Sequence, residues 1–301
     1  MLYKTHKKYG ILWGVLGLTG AITFGLLPAM NSSMRITDKV FLGFLMYVAM
    51  RGAIFGAEFP DIDSPGSIPA RHHPFIRKIF AFFHIAHRGK FSHDYASLAV
   101  FFGLLLFLWK LARGLLMSNP TTHQYAILGI AIWMVFTLSK DVVDVLLYAF
   151  FKGDKDTIQR LNFIAKVAGF GLGMLLAFII GFVTFGSNPT SILRSANFAF
   201  PSVTLWFIFT WVGSYSHLFA DMMTKEGVHF FGQRIAPARV VLLVKKIPLI
   251  GRFLIPSDLN TGSSYEDFCR MLVVIITVPA VFLLFTVALG GDVQHFFSFF
   301  A

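Results

Sequence analysis

Three short clusters in this chain hold residue types that can bind a cation and activate water. Pro60-Asp61-Ile62-Asp63 sets two carboxylates one residue apart, and on non-helical backbone such a pair can reach one cation or bridge two. The stretch His87-Arg88-Gly89-Lys90-Phe91-Ser92-His93-Asp94 adds two imidazoles, a third carboxylate and a guanidinium able to hold a phosphate by paired hydrogen bonds. In Ser216-His217-Leu218-Phe219-Ala220-Asp221 the His and Asp are four apart, so on a helix turning about 100° per residue they share one face about 40° apart. That is metal-ligand geometry. Each cluster also has a plainer reading: a polar turn closing a helix, solvated loop histidines, and a histidine hydrogen-bonded to a carboxylate one turn away. His72 and His73 read as loop residues, and Glu266 reads as the partner of Ser263 in a capping box rather than as a catalytic acid.

The elements that carry these clusters are apolar. The chain has 301 residues, 56% of them hydrophobic and only 14% charged, with a mean hydropathy of +0.69, and a bilayer is the natural solvent for such a composition. A hydrocarbon core of about 30 Å takes about 20 apolar residues of helix to cross. Runs of that kind occupy 11–30, 167–185 and 271–289 without a charge, and 198–220 with only His217. Three more, at 40–57, 95–117 and 125–151, are interrupted by charged residues. The expectation is an all-α polytopic transmembrane bundle of about seven spans with two large cytoplasmic loops, the whole of 1–301 forming one membrane-embedded domain. The basic start Lys4 to Lys8 resembles a secretory leader, but the run behind it is longer than a leader's apolar core and six more follow, so it reads as the first span. The single Cys269 excludes an internal disulfide.

The net charge of +11 is explained by the membrane before nucleic acid, for which no direct binding is expected, because the basic residues alternate by loop. Segments 1–10, 58–93, 152–162 and 223–269 hold 17 Lys and Arg, and the intervening 31–39, 110–122, 187–197 and 291–301 hold 5. The positive-inside rule then puts the N-terminus in the cytoplasm and the C-terminus outside. Counted independently of the chemistry, this asymmetry places His6, Asp61, Asp63, His87, His93, His217 and Asp221 on one cytoplasmic face, as a single site requires.

Between the clusters, 110–197 reads as an insertion of extra spans. Its Lys140, Asp141 and Asp144 lie mid-segment, and Lys140 with Asp144 at a four-residue spacing reads as an ion pair inside the bundle rather than a proton relay. The aromatic stretch 75–84 reads as a short interfacial helix, and the basic, apolar segment 239–255 as an element lying on anionic headgroups.

Taken in order, EFPDIDSP at 58–65, HRGKFSHD at 87–94, SYSHLFADMMTKEGV at 214–228 and TGSSYE at 261–266 resemble the YdjM-like family of bacterial inner-membrane metal-dependent hydrolases. The resemblance implies that Asp61, Asp63, His87, His93, His217 and Asp221 are metal and catalytic positions, with His6 matching a histidine near the family's N-terminus. It differs from the family in one extra residue between HRG and the second histidine, in Asp94 where a small residue is usual, and in the additional spans.

The expected function is a membrane-bound hydrolase whose His/Asp site holds a divalent metal, Zn²⁺ by its mixed nitrogen and oxygen donors, with Mn²⁺ or Fe²⁺ as alternatives. Asp63, Arg88 and His93 are the candidate catalytic residues, Arg88 neutralising developing charge on a phosphoester or lipid-like substrate. Two other classes compete: a docking protein for a cytoplasmic regulator, as the family's descriptive label of binding the repressor LexA implies, and an ion-coupled transporter using the 140–144 group.

Overall fold

A computed structural model describes residues 3–30, 33–34, 36–83, 85, 91–118, 120–150, isolated positions of 167–175, 189–222, 228–231, 233–235 and 264–291. The described residues are mostly helical. In chain order they form α1 (Tyr3–Thr23), α2 (Ile36–Glu58), a 3₁₀ helix (Phe59–Asp63), α3 (Ile68–His72), α4 (Pro74–Phe82), α5 (Tyr95–Ser118), α6 (Pro120–Phe150), α7 (Pro189–Met222), the strands β1 (Val228–Phe230) and β2 (Gln233–Ile235), and α8 (Ser264–Ala288). Proline opens α4, α6 and α7, where its missing N–H costs nothing and its fixed φ suits the first turn.

Three helical stretches among the described residues are long and apolar enough to cross a membrane: Leu42–Asp63, Tyr95–Ser118 and Glu266–Ala288. They coincide with the expected spans at 40–57, 95–117 and 271–289. The first apolar run departs from expectation, since α1 stops at Thr23 and the chain turns through Gly25, whose φ of +72° suits only glycine without strain. Most of 167–185, all of 239–255, and His87 and Arg88 lie outside the described residues.

The chain divides into two compact units, 1–107 with 205–301, and 108–204. In the first, α1 packs against α2 and α8, burying Leu12, Val15, Leu18 and Ile22 among Ala49, Ala53, Phe209, Val273 and Leu284. The small residues on α1, α2 and α7 let backbones approach closely, as in membrane bundles. A Cβ on Gly56 would overlap the Thr210 carbonyl, one on Gly213 the Ala53 carbonyl, and one on Gly10 would come within 2.6 Å of the Ala57 methyl. Outward-facing Val274, Ile275, Val278, Phe282 and Phe285 leave α8 with an apolar exterior, which suits hydrocarbon surroundings. A helix does form at 74–82: it turns Phe80 inward onto Phe59, 5.3 Å between ring centroids, and leaves Phe75 and Phe82 exposed.

Within the second unit, Ile127 and Phe200 are buried together, the Trp109 indole donates to Thr204 Oγ1 at 2.9 Å, and the Arg113 guanidinium lies 5.7 Å from the Phe200 ring centre. Lys140 and Asp141 are half-buried on α6, and the side chain of Asp144 lies outside the described residues.

Candidate metal centre

Four elements of the first unit each deliver part of one buried cluster. At the end of α2 the chain tightens into the 3₁₀ helix, with Pro60 in its first turn and Ile62 fully buried between the two aspartates. Ser67 fixes this turn from both sides: its hydroxyl donates to the Asp61 carbonyl at 2.7 Å and accepts from the Ala70 N–H at 3.0 Å to cap α3. The Asp61 side chain keeps 21% of its surface open, and that of Asp63 is closed off.

His93 enters from the segment before α5. Its carbonyl accepts from the His229 N–H of β1 at 3.0 Å, and Asp94 bridges to the same strand. Asp94 also accepts from the N–H groups of Ala96 and Ser97 at 2.8 and 3.0 Å, a helix N-cap. Asp94 is thus occupied in anchoring the helix that follows His93.

His217 and Asp221 lie one turn apart on α7, as the spacing predicts, with His217 Nε2 3.4 Å from Asp221 Oδ2. The opposite ring nitrogen, Nδ1, is 2.7 Å from the Ala57 carbonyl, among the last carbonyls of α2, where a helix leaves acceptors over. A carbonyl only accepts, so Nδ1 donates to it, and Nε2 is the nitrogen turned toward the carboxylates. His217 Nε2 is buried and makes no hydrogen bond of acceptable geometry, although carboxylate oxygens of Asp221 and Asp61 stand 3.4 and 3.7 Å away.

The ring of His93 is fixed in the same sense. Ser92 donates its hydroxyl proton to Asp63, so its oxygen accepts from His93 Nδ1, 3.0 Å away. His93 Nε2 then faces Asp221 Oδ2 at 3.6 Å. Two histidines from distant segments therefore turn their Nε2 atoms toward a shared pair of carboxylates, each through a partner on Nδ1 of the kind that orients metal-binding imidazoles. His6, from α1, completes the cluster with Nε2 3.4 Å from Asp221 Oδ1 and its ring stacked on His217. Burial alone would raise the carboxyl of Asp221, one residue past the apolar run 198–220, but the positive charge of protonated His6 and His217 outweighs it and holds the group well below the usual carboxylate range.

Of the seven residues expected to hold metal, six gather here, and His87 lies outside the described residues. The ligand atoms of His6, His217 and Asp221 lie within 4.8 Å of one another, as do those of Asp61, His93 and His217, spacings of the order that metal binding needs. Asp63 plays a different part from Asp61: its carboxylate is engaged by Ser92, and Oδ2 stands 3.9 Å from His93 Nδ1, behind the ring.

Three contacts of the cluster's surroundings are not signalled in the sequence. Ser92 is one. Glu266 is another: its carboxylate accepts from Thr5 Oγ1 at 2.7 Å, both residues buried, joining the start of α8 to the residue before His6. Ser263, its expected capping partner, lies outside the described residues. The third is Glu58, paired with His73 at 3.3 Å, which takes that histidine out of the class of solvated loop residues. No family model, curated protein or solved structure matches this chain.

Proposed function

We propose that the protein is a membrane-bound, metal-dependent hydrolase acting from the cytoplasmic face on a phosphoester or lipid-like substrate. The observation that carries the reading is that His217, held at Nδ1 by the Ala57 carbonyl, and His93, held at Nδ1 by Ser92, turn their buried Nε2 atoms onto the carboxylates of Asp61 and Asp221 at 3.4 to 3.7 Å. A buried imidazole that only packed would spend both nitrogens on hydrogen bonds, and His217 Nε2 makes none. A donor set of nitrogen and carboxylate oxygen suits Zn²⁺, with Mn²⁺ and Fe²⁺ next.

A cation in this set supplies Lewis-acid chemistry, polarising a phosphoryl or acyl oxygen and making a water more acidic. The chain's own residues do the rest. Asp61 is the least buried of the set, with 21% of its side-chain surface open. Asp63, through Ser92, holds the His93 ring in place, and the seal formed by Ile62, Leu218 and Val228 excludes water from behind. In the reaction a water oxygen bonds to phosphorus, the ester P–O bond breaks, and the leaving oxygen takes up the proton the water gives up. By the resemblance of HRGKFSHD, Arg88 compensates charge on the phosphoryl oxygens.

The site belongs to the ends of apolar helices, which favours an amphiphile whose headgroup reaches the membrane surface. The bundle we infer has seven spans in a bacterial inner membrane, the N-terminus cytoplasmic and the C-terminus external, as the distribution of basic residues supports.

The test is metal analysis of purified protein beside hydrolysis of a chromogenic phosphodiester. His217→Ala and Asp61→Asn, over 150 residues apart in sequence, are each expected to remove most bound metal and the activity while leaving membrane insertion intact. Protein that holds no stoichiometric transition metal, or that keeps it through both substitutions, overturns the proposal.

A further inference from the structure

The stacking of His6 on His217 bears on how many ions the cluster holds. An imidazole binds a cation in its own ring plane, along the nitrogen lone pair. The two rings are parallel to within 10°, with centroids 3.7 Å apart. An ion shared between them would sit close to half that separation, roughly 1.8 Å, off each plane, against a metal–nitrogen bond of only about 2.1 Å. Such an ion would lie above both lone pairs rather than on them, so one cation cannot satisfy His6 and His217 together.

The carboxylate between the rings is divided to match. Asp221 Oδ1 faces His6 Nε2 at 3.4 Å, and Oδ2 faces His217 Nε2 at 3.4 Å and His93 Nε2 at 3.6 Å. A carboxylate presenting one oxygen to each of two parallel imidazoles is arranged to bridge. Ions lying in the two ring planes would stand at least about as far apart as the rings, a separation that reaches the roughly 3.5–4 Å of two-metal hydrolytic sites.

We propose that the site holds a pair of cations bridged by Asp221, one on His217, His93 and Asp61, the other on His6. This rests on the metal-dependent reading above and adds its nuclearity and substrate class. The first ion has four protein ligands, a closed set. The second has His6 and one oxygen of Asp221 among the described residues, and its remaining positions go to water or substrate oxygen. That inequality assigns them different tasks: the His217 ion is structural to the centre, and the His6 ion binds the substrate's anionic oxygen. Paired cations of this spacing suit a phosphoester, whose attacking and leaving oxygens both carry developing charge, better than a carboxylic ester.

Full-length protein in detergent micelles, stripped with a chelator and titrated with Mn²⁺, tests this without reference to turnover. The expected result is two ions per chain, the second released first on dilution, with the exchange-coupled electron paramagnetic resonance signal of a close pair. His6→Ala is expected to bind one ion and to show the hyperfine-split signal of isolated Mn²⁺. His6→Gln, which keeps a polar side chain in the buried position, gives the same readout if the alanine variant does not fold. Saturation of the wild type at one ion with an uncoupled signal overturns the pair while leaving the metal-dependent reading standing. Absence of any bound ion overturns both.

Discussion

His217 hangs from the backbone of α2: its Nδ1 donates to the Ala57 carbonyl across 2.7 Å, joining residues 160 apart in the sequence. The bond sets which nitrogen of the ring faces Asp61 and Asp221, and it makes the site depend on how closely α2 and α7 approach.

Gly213→Ala tests that dependence. A methyl there would overlap the Ala53 carbonyl and lie 2.9 Å from the Ala57 nitrogen, so α7 must move away from α2. The expected cost is about 1–3 kcal/mol of stability, seen as a lower melting temperature in detergent, together with reduced metal content as His217 leaves its carbonyl. Gly103→Ala, where a methyl meets nothing within 4 Å, is the control and should change neither. Equal behaviour of the two variants would remove the claim that helix approach sets the site.

Ser92→Ala takes away the oxygen that accepts from His93 Nδ1 and the hydroxyl that satisfies Asp63. Metal affinity should fall on the order of 10- to 100-fold, the usual effect of losing a partner that orients a ligand. Competition with a fluorescent chelator measures this. An unchanged affinity would mean that Ser92 merely packs.

Asp141→Asn separates the hydrolase from a transporter. Asp141 is half-buried on α6, in the unit 108–204, whereas the His/Asp cluster is built wholly from the other unit. The variant is expected to keep full metal content and hydrolysis while lowering the yield of folded protein. Loss of ion flux in proteoliposomes with unchanged folding would favour the transport class instead.

Topology supplies a fourth check. Reporter fusions within 225–267 should read cytoplasmic and fusions at the C-terminus external, because 17 basic residues sit on one set of loops and 5 on the other. An external signal from 225–267 would place the His217 helix end on the wrong side of the membrane for the proposed site.

What the amino-acid sequence determined by itself was whatever depends on neighbours along the chain. Apolar runs of membrane length, three of them recovered as helices long and apolar enough to cross a membrane, are a matter of counting residues. So is the shared face of His217 and Asp221, since a helix fixes the angle between positions four apart. The order of the clusters made one site plausible. Tertiary structure alone decided how the members divide their work. Asp61 and Asp63 are equivalent in the string PDID, yet one stays partly open beside His217 and the other is closed off behind His93, because the 3₁₀ turn sends their side chains different ways. Thr5 and Glu266 are 261 residues apart, and nothing local marks them as partners. The stacking of His6 on His217, on which the number of ions turns, arises only when α1 and α7 pack. A lone pair's direction is a property of the ring's orientation in space, and that is fixed by hydrogen bonds to a backbone carbonyl and a buried serine whose identities carry no signal in the sequence.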